Sequence, residues 1–245
     1  MLEFHITYHC NLSCALCTHF SPSAPAYVVP VKNLSEQVTL AAYRLDPEVV
    51  HILGGEPLLH PHVPDILSAT RGAFPKAVIK LVSNGTLFLR QAGPLVRALA
   101  ADNIIFAVSL YPSVPVNRIV IAESCAAGGA SYEFWPQETI LDFLDLTGGS
   151  ESGAARATCS MGDALNIRDD RLYPCPVSAW CDFGGAPLAL EDGVLLTETV
   201  EALRKVLDPQ RTTSRCRYCR CSPGRRPHSL GSRNPIFSTE VKNHV

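Results

Sequence analysis

The N-terminal part of the chain alternates short apolar runs with longer segments in which apolar residues recur at helical spacing. The apolar runs predict four β-strands: Leu2–Thr7, Val49–Leu53, Ala77–Val82 and Ile104–Leu110. The segments between them predict three helices: 34–45, 62–74 and 89–101. Regular alternation of strand and helix is typical of a parallel sheet, and the near-continuous apolar strands indicate that helices cover it.

Polar residues follow each of the four predicted strands. Cys10 follows the first strand, Gly54-Gly55-Glu56 the second and Ser83-Asn84 the third, while Ser109 lies at the end of the fourth. The carboxyl ends of parallel strands meet on one face, which carries the active site in such folds. We therefore expect these motifs to converge.

The pattern changes after about residue 136. Residues 147–153 are small, polar and rich in glycine, as in a linker. Beyond them, residues 166–173 predict a hairpin that turns at Asp169-Asp170, and residues 195–206 predict a helix. We expect two domains: a larger α/β domain over 1–147 and a small cysteine-rich domain, with a tail, over 148–245.

Composition narrows the classes of partner. The 245 residues are 47% hydrophobic and carry a formal net charge of −2. No basic excess indicates nucleic acid, no apolar run is long enough to span a bilayer, and the N-terminus lacks the features of a secretory signal. We expect a soluble, cytoplasmic protein that acts on a small molecule, without nucleic-acid or membrane partners.

The ten cysteines indicate metal chemistry, because a reducing cytosol disfavours a disulfide framework. Cys10, Cys14 and Cys17 have the spacing C-x3-C-x2-C. A 4Fe–4S cluster takes four ligands, so three thiolates leave one iron open for a cosubstrate. The alternatives are a zinc knuckle and a chance grouping, although a structural zinc site normally has four protein ligands.

The cysteine motif and its place after a first strand resemble those of the radical S-adenosylmethionine (SAM) superfamily. The resemblance implies a partial (β/α)6 barrel similar to a TIM barrel. It also implies that a 4Fe–4S cluster binds SAM through its open iron and cleaves it to a 5′-deoxyadenosyl radical. An electron donor such as flavodoxin or ferredoxin is implied as a partner. Leu16 stands where the family often has an aromatic residue near the adenine.

Three later motifs extend the resemblance. Gly54, Gly55, Glu56 and Pro57 resemble the family's GGEP motif, whose carboxylate and carbonyls can accept hydrogen bonds from the SAM ammonium group. Its glycines let the backbone approach a ligand closely. By the same resemblance Ser83, Asn84 and Ser109 contact SAM. The alternative for Ser83 and Asn84 is a plain turn, because Asn-Gly is a common turn pair.

A second cysteine set lies in the C-terminal part of the chain. Cys159, Cys175, Cys216 and Cys219 supply four thiolates, enough to complete a metal site. The pattern resembles the twitch domain, a shortened SPASM domain that holds one auxiliary 4Fe–4S cluster. Cys181 and Cys221 remain, either to replace one of the four or to donate a hydrogen atom. The alternative is a structural zinc ion.

The reaction is predicted from the layout alone. A truncated barrel followed by a twitch domain is similar to radical SAM dehydrogenases that oxidise a cyclitol or amino-sugar alcohol to a ketone in natural-product and antibiotic biosynthesis. The first alternative is an epimerase of a sugar or aminoglycoside, with Cys181, Cys221 or Cys125 as hydrogen donor. The others are modification of a ribosomal peptide and a zinc-binding interaction module without enzymatic activity.

Overall fold

The computed structural model describes the backbone of residues 1–137, 139–145, 147–159, 161–208 and 210–227. Side chains are described for the same residues apart from 139–143 and 221–227. The chain divides into two compact units. Unit 1 comprises Met1–Asn11 and Ala26–Thr139, and unit 2 comprises Leu12–Pro25 and Ile140–Val245.

Unit 1 is built on a parallel five-stranded sheet with the strand order β5-β4-β3-β2-β1. Its strands are β1 (Leu2–Thr7), β2 (Val49–Gly54), β3 (Val78–Ser83), β4 (Ile105–Leu110) and β5 (Tyr132–Pro136). Its helices are α1 (Val31–Arg44), α2 (Val63–Ala73), α3 (Ala92–Ala101) and α4 (Arg118–Gly128). The four predicted strands and three predicted helices are confirmed, with boundaries that differ by up to three residues.

Helix α4 and strand β5 were not predicted. The side chain of Asn117 caps α4 by accepting a hydrogen bond from the Val120 amide, and Gly129 ends it in the left-handed conformation. Only Ile121 and Cys125 of this helix are buried, so its apolar periodicity is weak. The two capping residues, Asn117 and Gly129, were the sequence signal from which this helix could have been predicted.

The sheet of unit 1 has one apolar and one polar face, because side chains alternate along each strand. Phe4, Ile52 and Phe106 are fully buried on the first face. On the second face the strand register places Glu3 beside His51 and His51 beside Lys80. Charged residues therefore occupy positions that the apolar pattern treated as core.

Unit 2 is assembled from short elements. Its strands are β6 (Thr139–Leu144), β7 (Leu165–Arg168), β8 (Arg171–Tyr173), β9 (Val194–Leu195) and β10 (Cys219–Pro227). Strands β7, β8 and β9 form an antiparallel meander, and β6 lies beside β10. Its helices are α5 (Ser152–Ala157), α6 (Pro176–Trp180) and α7 (Val200–Leu207).

The predicted hairpin is confirmed, since Asp169 and Asp170 join β7 to β8 with φ values of 50° and 58°. The predicted helix over 195–206 begins too early. Leu195 belongs to β9, and α7 starts after Thr199, whose side chain accepts a hydrogen bond from the Ala202 amide. The predicted linker over 147–153 includes the first residues of α5.

A buried ion pair fixes the first helix after the hairpin. Arg168 donates to both carboxylate oxygens of Asp182, at 2.6 and 2.9 Å, and lies over the rings of Trp180 and Phe183. A bidentate pair between aromatic faces sets both distance and orientation. Among the described residues, no helix is both long and apolar enough to cross a membrane.

Candidate functional site

The GGEP segment is hydrogen-bonded to the chain that leads into the first cysteine motif. The Gly55 amide donates to the Thr7 carbonyl at 3.0 Å, and the Glu56 amide donates to the His9 carbonyl at 3.1 Å. A Cβ at Gly55 would collide with the His9 backbone. The close backbone approach predicted for these glycines therefore serves the segment just before Cys10.

The Glu56 carboxylate is fully buried and accepts three hydrogen bonds within unit 1. They come from the Leu58 amide at 2.9 Å, the Ser83 hydroxyl at 2.7 Å and the Asn84 amide at 2.8 Å. Burial raises the pKa of Glu56 to about 7, and the three donors partly offset that rise. This carboxylate joins the end of β2 to the end of β3, and it also caps the 3₁₀ turn that Pro57 begins.

The Asn84 side chain is part of a closed ring of hydrogen bonds. The nitrogen of its side-chain amide donates to Asn11 Oδ1 at 2.9 Å and to Cys10 Sγ at 3.7 Å. Its oxygen accepts from the Thr86 hydroxyl at 2.6 Å, and that hydroxyl accepts from Asn11 at 2.8 Å. Sequence reasoning did not single out Asn11 and Thr86. The one available signal was that both are polar residues adjoining predicted motifs.

The three cysteines of the first motif fall on both sides of the unit boundary. Cys10 belongs to unit 1, whereas Cys14 and Cys17 lie in the segment of unit 2 that spans Leu12–Pro25, together with Leu16. Burial raises the pKa of the Cys14 thiol to about 12. Burial also acts to raise the pKa of Cys17, but hydrogen bonds with His19 and the Ser21 backbone outweigh it and lower that pKa. A bound metal would favour the thiolate form of Cys14, because metal binding releases the thiol proton.

The polar face of the unit 1 sheet was missed in the sequence. The Lys80 ammonium group lies 2.6 Å from Glu133 Oε1 and 5.2 Å from the centre of the Trp135 ring. His51 Nδ1 lies 3.8 Å from Glu3 Oε1, and both residues are at least nine-tenths buried. Their alternation with apolar residues along the strands was the signal.

The predicted Ser109 shares this face of the sheet. Strand register places Ser109 beside Trp135 on β5, and its side chain is buried at 9% exposure. Acids, a base and an aromatic ring on one sheet face are suited to holding a hydroxylated or amino-bearing ligand.

The four cysteines predicted for a second metal site lie together in unit 2. Cys159, Cys175, Cys216 and Cys219 line one cavity. Cys175 immediately precedes α6, and its Sγ accepts a hydrogen bond from the Ser178 amide at 3.4 Å. Cys216 Sγ accepts one from the Thr213 amide at 3.3 Å. Amide donors to sulfur are typical of thiolates that bind a metal cluster.

The spacing and acidity of these thiols bear on the kind of metal site. Burial is the main reason why the pKa of Cys175 is raised to about 11 and that of Cys219 further. The neighbouring thiols also raise both pKa values. Among the described residues, no three of the four sulfur atoms lie within 4.8 Å of one another. A single tetrahedral zinc ion would bring its sulfurs to about 3.8 Å, given Zn–S bonds of about 2.3 Å. Four thiols are the full ligand set of either a 4Fe–4S cluster or a structural zinc ion.

A buried hydrogen-bond network joins the two cysteine segments. The Ser178 hydroxyl lies 3.2 Å from Asp192 Oδ2 and 3.2 Å from the Thr213 hydroxyl. Asp192 also accepts from the Ser214 amide at 2.9 Å. The network therefore connects the segment after Cys175 to the segment before Cys216, which are far apart in sequence.

Three cysteines belong to neither of the two predicted ligand sets: Cys125, Cys181 and Cys221. Cys181 is fully buried in unit 2, with its Sγ 3.5 Å from the Pro187 carbonyl oxygen. Cys125 is fully buried on α4, and burial raises the pKa of its thiol to about 11. The side chain of Cys221 lies outside the described part of the chain, as does the tail over 228–245.

A family model matches the N-terminal part of the chain. Residues 4–110 match the model of the radical SAM superfamily. The range contains the first three cysteines, the GGEP segment and strands β1 to β4. The chain carries a radical SAM domain, and the resemblance drawn from these motifs is confirmed. A radical SAM domain implies a 4Fe–4S cluster and SAM as cofactors.

Relatives with assigned activities match less than half of this chain. GTP 3′,8-cyclase 2 of Mycobacterium bovis is 32% identical over 103 residues, which are 40% of this chain and 28% of that protein. GTP 3′,8-cyclase of Chlorobaculum tepidum is 29% identical over 93 residues, 38% of this chain and 28% of that protein. The chain thus spans less than a third of the length of these relatives.

Two solved structures share the fold over most of the chain. BtrN in complex with AdoMet and 2-DOIA has a TM-score of 0.58 and 16% identity, covering 89% of this chain and 92% of that one. Native anSMEcpe with bound AdoMet has a TM-score of 0.56 and 13% identity, covering 89% and 82%. They confirm the predicted α/β, partial-barrel fold class with a cysteine-rich C-terminal region.

Proposed function

We propose that the protein is a radical SAM dehydrogenase that oxidises a cyclitol or amino-sugar alcohol to a ketone. The observation that carries the proposal is the second group of four thiols in unit 2, which is suited to an iron–sulfur cluster. We assign the radical SAM chemistry to residues 1–147 and the second cluster to 148–245. The fold is shared with BtrN, which binds AdoMet and 2-DOIA.

The first cluster is held by Cys10, Cys14 and Cys17 in this proposal. SAM lies against the GGEP segment, Leu16 and Ser109. Glu56, Ser83 and Asn84 shape this site from within, because their side-chain groups are already engaged in hydrogen bonds of unit 1. When bound, SAM and its cluster supply a radical that removes a carbon-bound hydrogen atom, and the second cluster supplies an acceptor for the electron that remains.

The polar face of the unit 1 sheet receives the substrate. Lys80 and Glu133 donate to and accept from its hydroxyl or amino groups, and Trp135 supplies an apolar wall. His51 takes the hydroxyl proton once the carbon has lost its hydrogen atom, and the carbonyl is complete when the remaining electron has passed to the acceptor. Glu3, 3.8 Å from His51 Nδ1, stabilises the imidazolium that forms.

The test is a product assay on the reconstituted enzyme with SAM, dithionite and a panel of cyclitols and amino sugars. Substrates carry deuterium on the carbinol carbon. The proposal predicts one deuterium in 5′-deoxyadenosine for each new carbonyl. Deuterium transfer without a carbonyl, together with inversion at carbon, would indicate an epimerase instead.

A second arm tests the base. His51→Asn should form 5′-deoxyadenosine but less ketone, because hydrogen abstraction precedes loss of the hydroxyl proton. His62→Asn is the matched control, since the His62 side chain is 60% exposed on the same unit. Equal ketone yields in the two variants would exclude His51 as the base.

A further inference from the structure

Three arginines line the cavity that contains the four thiols of unit 2: Arg156, Arg211 and Arg215. Each has one guanidinium nitrogen that is buried and lacks a hydrogen-bond partner among the described residues. Buried donors without an acceptor are rare, because leaving one unpaired costs free energy. Three around one cavity indicate a missing anionic acceptor.

Contacts away from the cavity hold two of these side chains in place. Arg215 donates to the Pro187 carbonyl and stacks over the Tyr218 ring. Arg211 donates to the Glu191 carbonyl at 3.3 Å. Their remaining buried nitrogens are therefore anchored donors.

The Arg156 guanidinium occupies space next to Gly162, which has no side chain. A Cβ at Gly162 would collide with its terminal nitrogen, so Gly162 leaves the space that Arg156 occupies. Arg156 also lies three residues before Cys159 and on the helix α5 that leads to it.

We propose that Arg156, Arg211 and Arg215 form a cationic cradle that raises the reduction potential of the cluster bound by Cys159, Cys175, Cys216 and Cys219. The inference rests on the proposed function. A cubane with four thiolates carries two negative charges when oxidised and three when reduced. Three guanidinium groups favour the more negative state and donate hydrogen bonds to its sulfurs, and both effects raise the potential.

The three arginines act by positioning and by tuning the reduction potential. The higher potential makes this cluster an easier electron acceptor. At the first motif, by contrast, Cys10 accepts a hydrogen bond from the neutral Asn84 side-chain amide, and Cys17 is hydrogen-bonded to His19. A difference in potential between the two clusters would give the electron released during substrate oxidation a direction.

The experiment uses the full chain with Cys10, Cys14 and Cys17 replaced by alanine, so that only the second cluster remains. In that background Arg156→Gln, Arg211→Gln and Arg215→Gln are compared with the corresponding lysine variants. Arg204→Gln is the control, because Arg204 is exposed on α7. The readouts are iron content and a redox titration followed by electron paramagnetic resonance.

Each glutamine variant should lower the equilibrium constant for reduction about tenfold, which is about 59 mV for one electron. The lysine variants should recover most of the shift, and Arg204→Gln should show none. Loss of iron in a glutamine variant that the lysine variant retains would also support the cradle. Unchanged potentials with the cluster intact would overturn it. Absence of iron in the background variant itself would overturn the second cluster and hence the proposed function.

Discussion

The two cysteine sites differ in how their polar groups are satisfied. In unit 1, Glu56, Asn84 and their neighbours form hydrogen bonds with one another, so the site is shaped before any ligand binds. In unit 2, four thiols and three partly unpartnered guanidinium groups line one cavity. A self-satisfied network favours precise placement, whereas unmet donors and clustered thiols favour a bound anionic cluster.

The largest expected effect is the loss of a different reaction step when the cysteines of one site or the other are replaced. Replacing Cys10, Cys14 and Cys17 with alanine should abolish SAM cleavage, because the remaining cluster, with four protein ligands, has no open iron to bind SAM. Replacing Cys159, Cys175, Cys216 and Cys219 should leave SAM cleavage but remove ketone formation. Chromatographic assay of 5′-deoxyadenosine and carbonyl product measures both. Ketone formation by the second variant would remove the proposed electron acceptor.

The next effect tests the close packing behind the first site. Gly55→Ala should lower the free energy of unfolding by about 2–3 kcal/mol, because its Cβ collides with the His9 backbone. Gly72→Ala is the control, since a Cβ there meets nothing within 4 Å on helix α2. It should stabilise the protein by about 0.5–1 kcal/mol. Equal effects in denaturant unfolding would show that the contact does not matter.

Glu56 gives the first site a pH dependence. Its pKa is raised from 4.5 to about 7, so its contribution to stability is full below pH 4.5 and is lost as the pH rises through about 7. The loss is up to about 3 kcal/mol. Glu56→Gln should remove this slope, whatever its own stability. Urea unfolding of the apoprotein from pH 5 to 8 compares the slopes, and parallel curves would contradict the raised pKa.

The smallest effect tests the network between the cysteine segments of unit 2. Ser178→Ala should cost about 1–2 kcal/mol, because it removes the buried hydroxyl that hydrogen-bonds to both Asp192 and Thr213. Thr212→Ala is the control, since Thr212 is exposed in the same segment. Thermal unfolding should separate the two variants by several degrees. A Ser178→Ala transition no lower than that of the control would exclude the network as a support.

The features that the sequence predicted well depend on residues that lie close together along the chain. Four of the five strands of unit 1 and the turn at Asp169-Asp170 follow from periodicity and turn chemistry within a few residues. The two cysteine sets were also visible, because thiols at close spacing have few other uses in a reducing compartment.

What the sequence did not predict depends on contacts between distant segments. The engagement of Glu56 by Ser83 and Asn84 requires the register of β2 against β3. The polar sheet face requires five strands to be aligned, and the arginine cradle requires α5 and the segment around Arg211 to face one cavity. Alternation along a single strand is visible in the chain, but the alignment of strands and the meeting of distant segments are not.

The most direct test is anaerobic quantification of iron and sulfide after reconstitution. We predict about eight irons in the parent protein, as two cubane clusters require. About four should remain when Cys10, Cys14 and Cys17 are replaced, and about four when Cys159, Cys175, Cys216 and Cys219 are replaced. Four irons in the parent that fall to none in the first variant would contradict the second cluster, and zinc without iron would contradict the account of both sites.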